Sequence, residues 1–167
     1  MNVDAKKTAL RMIPYGLYIL TAEGKDGKVA AATVNWVTQV SFQPPLLVVG
    51  VKADSLAHAV IKESRAFALN MLGKGQQSLA FTFFKPLERE GNTIGGEAFH
   101  AGTTGAPVLE STPAYVECRL VETVERGDHS VFVAEVVDAG VRQSPAGRPD
   151  DAILWLKDLG ENVFYGG

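Results

Sequence analysis

The run Ser130-Val131-Phe132-Val133-Ala134-Glu135-Val136-Val137-Asp138-Ala139-Gly140-Val141 decides the fold class. Val131, Val133, Val137 and Val141 fall on one parity, and Phe132, Ala134 and Val136 on the other. A β-branched run with no helical period and apolar residues on both parities predicts a strand covered on both faces. The turn Arg126-Gly127-Asp128 precedes it, and Ala114–Glu125 reads as its antiparallel partner. Downstream, Ile153-Leu154-Trp155-Leu156 and Val163-Phe164-Tyr165 predict two short final strands.

The same reading extends towards the start. Asp4 is placed to cap a helix over Ala5–Met12, with Leu10 and Ile13 turned inward and Pro14 ending it. Leu17–Thr21 predicts a strand, Gly24-Lys25-Asp26-Gly27-Lys28 a hairpin turn, and Val29–Val40 the return strand. Pro44-Pro45 stops that strand, and Leu46–Val51 follows, apolar on both parities. Asp54 or Ser55 caps a helix whose apolar face carries Leu56, Ala57, Val60 and Ile61. Phe67–Leu72 predicts a strand and Gln76–Phe84 a third helix. Residues 86–107 show no period and read as a long surface excursion or an interface. Strands dominate and turns join several in succession. The expected fold is therefore mainly β with short helices, a β-barrel with helical excursions and not a doubly wound sheet.

Composition narrows the function. The 167 residues suggest one domain, 1–167, and 46% hydrophobic with 21% charged residues suits an ordinary globular chain. Sixteen basic and nineteen acidic residues leave a net charge of −3, which gives no global positive field for nucleic acid or an anionic membrane. The longest apolar runs are too short to span a bilayer, and Met1–Lys7 lacks the apolar stretch of a signal peptide. A lone cysteine, Cys118, excludes an internal disulfide framework and suits the cytoplasm.

The familiar catalytic patterns are missing. No G-x-G-x-x-G or G-x-x-x-x-G-K-[ST] occurs, and His58, His100 and His129 are scattered. Three local compositions stand out. In Ala32-Thr33-Val34-Asn35-Trp36-Val37-Thr38-Gln39-Val40-Ser41, alternation sets Thr33, Asn35, Val37, Gln39 and Ser41 on one side. A row of amides and hydroxyls beside an apolar core suits a flat heterocycle, and equally an edge strand with one solvated face. Lys52-Ala53-Asp54-Ser55 opens a helix, where free N–H groups and a partial positive charge favour phosphate. Simple capping explains the same residues. Gly127-Asp128-His129 places a turn histidine beside an acid, either as a ligand contact or as part of the turn.

Together and in this order, these segments resemble the flavin reductase-like family of FMN-binding split β-barrels. The resemblance rests on Pro14-Tyr15-Gly16, Thr33-Val34-Asn35-Trp36 with Val40-Ser41 and Pro44-Pro45, and Ser55…His58…Ile61…Ser64…Phe67–Leu72. It continues through Gln77…Leu79-Ala80, Gly105–Leu109, Glu117-Cys118 and Gly127–Val136, from about Leu10 to Val141. It implies a Greek-key-like six-stranded barrel and a homodimer with one flavin per subunit near the interface. In that pattern Thr33, Val34, Asn35, Trp36, Gln39, Val40 and Ser41 border the isoalloxazine. Lys52, Ala53, Asp54, Ser55, the following helix with His58, and Lys85 hold the phosphate. Asn70 supports the pocket, and His129 meets the nicotinamide as the catalytic candidate.

The implied activity is an NAD(P)H-dependent flavin reductase, with FMN or FAD as the flavin and NADH or NADPH as donor. Hydride moves to flavin N5, and electrons pass to free flavin, a monooxygenase partner or another acceptor protein. Other readings are an FMN protein that retains its flavin and reduces a quinone, enone or ferric acceptor, and a non-enzymatic FMN carrier. A split barrel holding a deazaflavin or a pyridoxal-type phosphate is a further reading. Cys118 shares parity with Val116, Leu120 and Val124 and reads as core.

Overall fold

The expected strand Val29–Val40 is two strands with different partners. In the computed structural model, which describes residues Met1–Gly167, β1 (Tyr18–Glu23) turns into β2 (Val29–Val34). Asn35 and Trp36 then leave the ladder before β3 (Val37–Ser41). β2 pairs antiparallel with β1, whereas β3 pairs with β4 (Leu46–Lys52), with Val37 opposite Val49. The break has a local cause. The Gly50 N–H donates to the Trp36 carbonyl at 2.9 Å. The indole lies over Gly50, where a Cβ would come within 3.0 Å of Trp36 Cε3. Any larger residue at position 50 would push the indole back by a few tenths of an ångström.

With β5 (Ala66–Met71), β10 (Ala114–Glu125) and β11 (His129–Val141), these strands make a seven-stranded antiparallel sheet in the order β2-β1-β5-β10-β11-β4-β3. Its two edges, β2 and β3, are consecutive and only two residues apart in the chain. The sheet must therefore curl until its edges approach each other at Asn35–Trp36. No ladder joins them: the sheet has seven strands where six are expected, and it does not close on itself through hydrogen bonds. Inside the curl pack Leu20, Val49, Phe67, Cys118 and Phe132, together with Ile61 of α2 (Leu56–Ser64). Burial, helped by the neighbouring Glu117 charge, pushes the Cys118 thiol up to about 12, which fits a core and not a redox role.

The segment read as a surface excursion is structured. It holds β6 (Arg89–Glu90), β7 (Thr93–Ile94), β8 (Glu97–Ala101) and β9 (Pro107–Leu109) in a small sheet. Ile94 and Phe99 are buried in a second cluster with Leu17, Ile19, Leu154 and Phe83, the last just after α3 (Gln77–Thr82). The excursion is folded onto its own chain, so its apolar residues give no reason for a partner.

Three other expectations are corrected. The first helix, α1 (Val3–Arg11), is capped by Asn2 and not Asp4, and buries no residue; Leu10 and Ile13 are exposed. Ile153 and Trp155 make single bridges to Gly73 and Gly16, Leu156–Leu159 is a 3-10 turn, and residues 163–165 join no ladder. β11 is covered on one face only: Ser130, Phe132 and Ala134 are buried, while Val131, Val137 and Val141 are exposed. β4 likewise buries one parity, Leu47, Val49 and Val51.

Asn70, expected to support the pocket, is fully buried in the core. Its Nδ2 donates to the Ile19 carbonyl at 2.9 Å and to Thr21 Oγ1 at 3.0 Å, and its Oδ1 accepts from the Leu109 N–H at 2.9 Å. One amide thus ties β5 to β1 and β9. Asn70→Ala strands the buried Leu109 N–H and should cost about 2–4 kcal/mol, read as a lower urea midpoint at unchanged slope.

Candidate functional site

β4 ends at Lys52, and the turn through Ala53 and Asp54 delivers Ser55 as the cap of α2. Ser55 Oγ accepts from the His58 N–H at 3.1 Å and donates to the Lys52 carbonyl at 2.7 Å. The Ala59 N–H bonds to the Ser55 carbonyl. The Leu56 and Ala57 N–H groups are left without an intrahelical acceptor, at the positive end of the helix dipole. Both residues line a cavity of about 650 Å³, within the usual range for small-molecule sites. Asp54 does not cap; it pairs with Lys52 at 3.1 Å on the surface.

The curl of the sheet brings the other walls. Thr33, Val34 and Asn35 arrive at the end of β2, Lys85 follows α3, and His129 begins β11. The two turns that frame the site are tied directly, because the Ala53 N–H donates to the Asp128 carbonyl at 2.9 Å. Phe83, Phe84, Leu156, Val163, Phe164 and Tyr165 complete the wall.

Eight of the expected residues therefore converge: Thr33, Val34, Asn35, Lys52, Asp54, Ser55, Lys85 and His129. The break at Asn35–Trp36 resets the strand parity, so Gln39, Val40 and Ser41 follow β3 away from the cavity. Gln39 is exposed, and its Nε2 donates to the Ser41 carbonyl at 3.1 Å. Trp36 stands behind the wall, its ring 4.7 Å from that of His129 and 5.3 Å from that of Tyr165. Ala53 and Asn70 have backbone and core roles. His58 points the other way, buried with Nε2 2.9 Å from Ser130 Oγ and its ring against Phe132.

His129 is held at both ring nitrogens. Nδ1 lies 2.9 Å from Asp128 Oδ1, and Nε2 lies 2.6 Å from the Tyr165 hydroxyl. An ionised carboxylate only accepts, so Nδ1 carries the proton. The hydrogen bond from His129 holds the Asp128 carboxyl below its ordinary range. In the neutral ring Nε2 is then an acceptor, and Tyr165 donates to it. Burial chiefly raises the Tyr165 phenol, opposed by Lys52 and reinforced by Asp128 and Asp54. Asn35 Nδ2 donates to the Tyr165 carbonyl at 3.0 Å. Tyr165 is thus a site residue that local pattern does not reveal. It stands 36 positions from His129 and 130 from Asn35, within a stretch that reads only as apolar.

A profile of the flavin reductase like domain matches residues 10–158. The chain belongs to the flavin reductase-like family. It is 38% identical to the reductase component of a 4-nitrophenol 4-monooxygenase/4-nitrocatechol 2-monooxygenase of Rhodococcus opacus, over 80% of this chain and 68% of the relative. It is 31% identical to an FMN reductase (NADH) of Pseudomonas syringae, over 80% of this chain and 74% of that one. A crystallised chain from Haemophilus somnus shares the fold over the full length of both, with a TM-score of 0.80 at 24% identity.

In this flavin reductase-like chain His58 acts on stability. Burial, and then the Lys62 charge, lower its pKa from the ordinary 6.5, against an opposing pull from Glu125. The unfolded chain therefore binds more protons than the folded one below that ordinary value. Stability is fully present above it and falls as pH drops through it, levelling off beneath the folded value. Urea titrations between about pH 7.5 and 5.5 should show this loss, and His58→Gln should flatten it.

Proposed function

We propose that this chain is an NADH-dependent flavin reductase that binds FMN in the 650 Å³ cavity. The observation that carries the reading is the capped start of α2. Two free N–H groups, from Leu56 and Ala57, stand beside Ser55 at one end of a largely apolar cleft, with His129 on its wall. That donor set fits a phosphate, with Lys52 and Lys85 adding charge. Val34 and Leu156 offer apolar surface to a flat ring, and Thr33 and Asn35 border it. A bound flavin supplies a hydride acceptor at N5, so no side chain has to act as a strong acid or base.

The chain's own residues position the donor. With Nδ1 bonded to Asp128, His129 Nε2 can accept a hydrogen bond from the N–H of a nicotinamide carboxamide. The Nδ1 proton is already engaged by the Asp128 carboxylate, so Nε2 is the ring nitrogen left for the ligand. Asn35 Nδ2 is available to the carboxamide oxygen once it is released from Tyr165. The Pseudomonas relative's name supports FMN and NADH as the pair. A monooxygenase is the acceptor assigned here, by analogy with the Rhodococcus reductase component. Residues 1–167 act as one domain, in the cytoplasm; no helix is long and apolar enough to cross a membrane.

Ser55→Asp keeps a helix cap while placing negative charge at the phosphate position. FMN affinity, followed by quenching of flavin fluorescence, should weaken at least about tenfold with little change in melting temperature. An unchanged Kd would remove the phosphate from this helix start.

The same proposal includes a homodimer with split-barrel subunits. The outward parity of β11 presents Val131, Val133, Val137, Ala139 and Val141, interrupted only by Glu135. Phe42, 91% exposed, stands in the turn between β3 and β4. A second copy would cover this face and satisfy a strand whose residues are apolar on both sides. Light scattering should return twice the 17.9 kDa chain mass, and Val131→Lys with Val137→Lys should return the single mass.

A further inference from the structure

Val163, Phe164 and Tyr165 line two cavities at once: the one above, and a second of about 400 Å³ bordered by Arg11, Tyr15 and Lys157. With Leu156, which also borders both, they separate the two, and Val163–Tyr165 form the part of the partition outside the 3-10 turn. This partition belongs to neither sheet, and few bonds hold it. The Val163 N–H reaches the Gly160 carbonyl, Asn35 Nδ2 donates to the Tyr165 carbonyl, and the Tyr165 hydroxyl donates to His129 Nε2. On the far side Arg11 Nε donates to the Gly166 carbonyl at 3.3 Å, and its guanidinium lies 4.1 Å from the Phe164 ring centroid. The flanking glycines, Gly160 and Gly166, sit at φ +138° and +136°, where other residues are strained. A short segment with glycine pivots and no ladder is the kind of element that opens at low cost.

We infer that Val163–Tyr165 is a movable strap, and that Tyr165 is a positioning residue which a nicotinamide dinucleotide must displace from His129 and Asn35 to reach the cavity. The inference rests on the function proposed above. The chemistry of exchange is balanced group for group. The carboxamide N–H replaces the Tyr165 hydroxyl as donor to Nε2, and the carboxamide oxygen replaces the Tyr165 carbonyl as acceptor from Asn35. With the strap swung aside, the two cavities become continuous. The diphosphate and adenosine half of the dinucleotide then runs towards Arg11 and Lys157, whose positive charges suit it.

The test combines hydrogen–deuterium exchange of residues 160–167 with kinetics of Tyr165→Phe, which keeps the ring and removes the hydroxyl. Adding NAD+ to the FMN-loaded wild-type protein should raise exchange in that segment. The variant should show raised exchange without NAD+. Its KM for NADH should fall roughly three- to tenfold, the value of one hydrogen bond no longer broken on binding, with the effect on KM and not on kcat. Unchanged exchange on adding NAD+, or an unchanged KM in the variant, overturns the strap. A wild-type protein that neither binds FMN nor oxidises NADH overturns the proposed function instead.

Discussion

One short break, at Asn35–Trp36, sets the rest of the structure. β2 and β3 are the two edges of a single sheet, yet two residues connect them. A sheet with that connectivity cannot stay flat: its edges have to meet where the chain crosses. Gly50 favours the crossing by accepting the indole of Trp36 against its bare Cα while its N–H holds the Trp36 carbonyl. The end of β2, the β4–α2 turn and the start of β11 are then drawn to one side, and the cavity is the space they enclose.

The same curl explains how chemistry is arranged without a catalytic constellation. Phosphate-type donors come from the helix start at Leu56 and Ala57, the polar wall from Thr33 and Asn35, and the histidine from the β11 turn. Each group is fixed by its own element, and none touches another in sequence. Asp128 accepts from Nδ1 of His129, which in the neutral ring leaves Nε2 to accept from the Tyr165 hydroxyl. Such a site positions ligands that carry the reactivity themselves.

The strands of the sheet also divide the labour of burial. The inward parity of β11 packs Phe132 and Ala134 into the core beside Cys118 and Leu120. Its outward parity is nearly as apolar, yet nothing in the same chain covers it. By contrast, the glycine-rich stretch after α3, whose irregular composition suggests an interface, uses Ile94 and Phe99 to extend the core of its own chain. Apolar residues on a two-sided strand therefore speak for a partner more directly than apolar residues in a long connection.

The sequence by itself determined the family and most of the elements up to Val141. Strand parity, the Gly24–Lys28 turn, the Ser55 cap and the Gly127-Asp128-His129 turn are all encoded within a few residues, because hydrogen-bond geometry repeats over two to four positions. The long β10–β11 hairpin follows its expected bounds to within a residue. Tertiary structure alone decided which side chains meet. Polar alternation from Thr33 to Ser41 implies one face, but the sheet's need to close on itself splits that run and sends Gln39 and Ser41 elsewhere. Asn70 and His58 carry polar side chains that could equally serve a ligand, and only burial shows them bonded within the protein. Tyr165 joins the site through contacts with Asn35 and His129, 130 and 36 positions away. No local period records such a contact; it exists only once the sheet has curled.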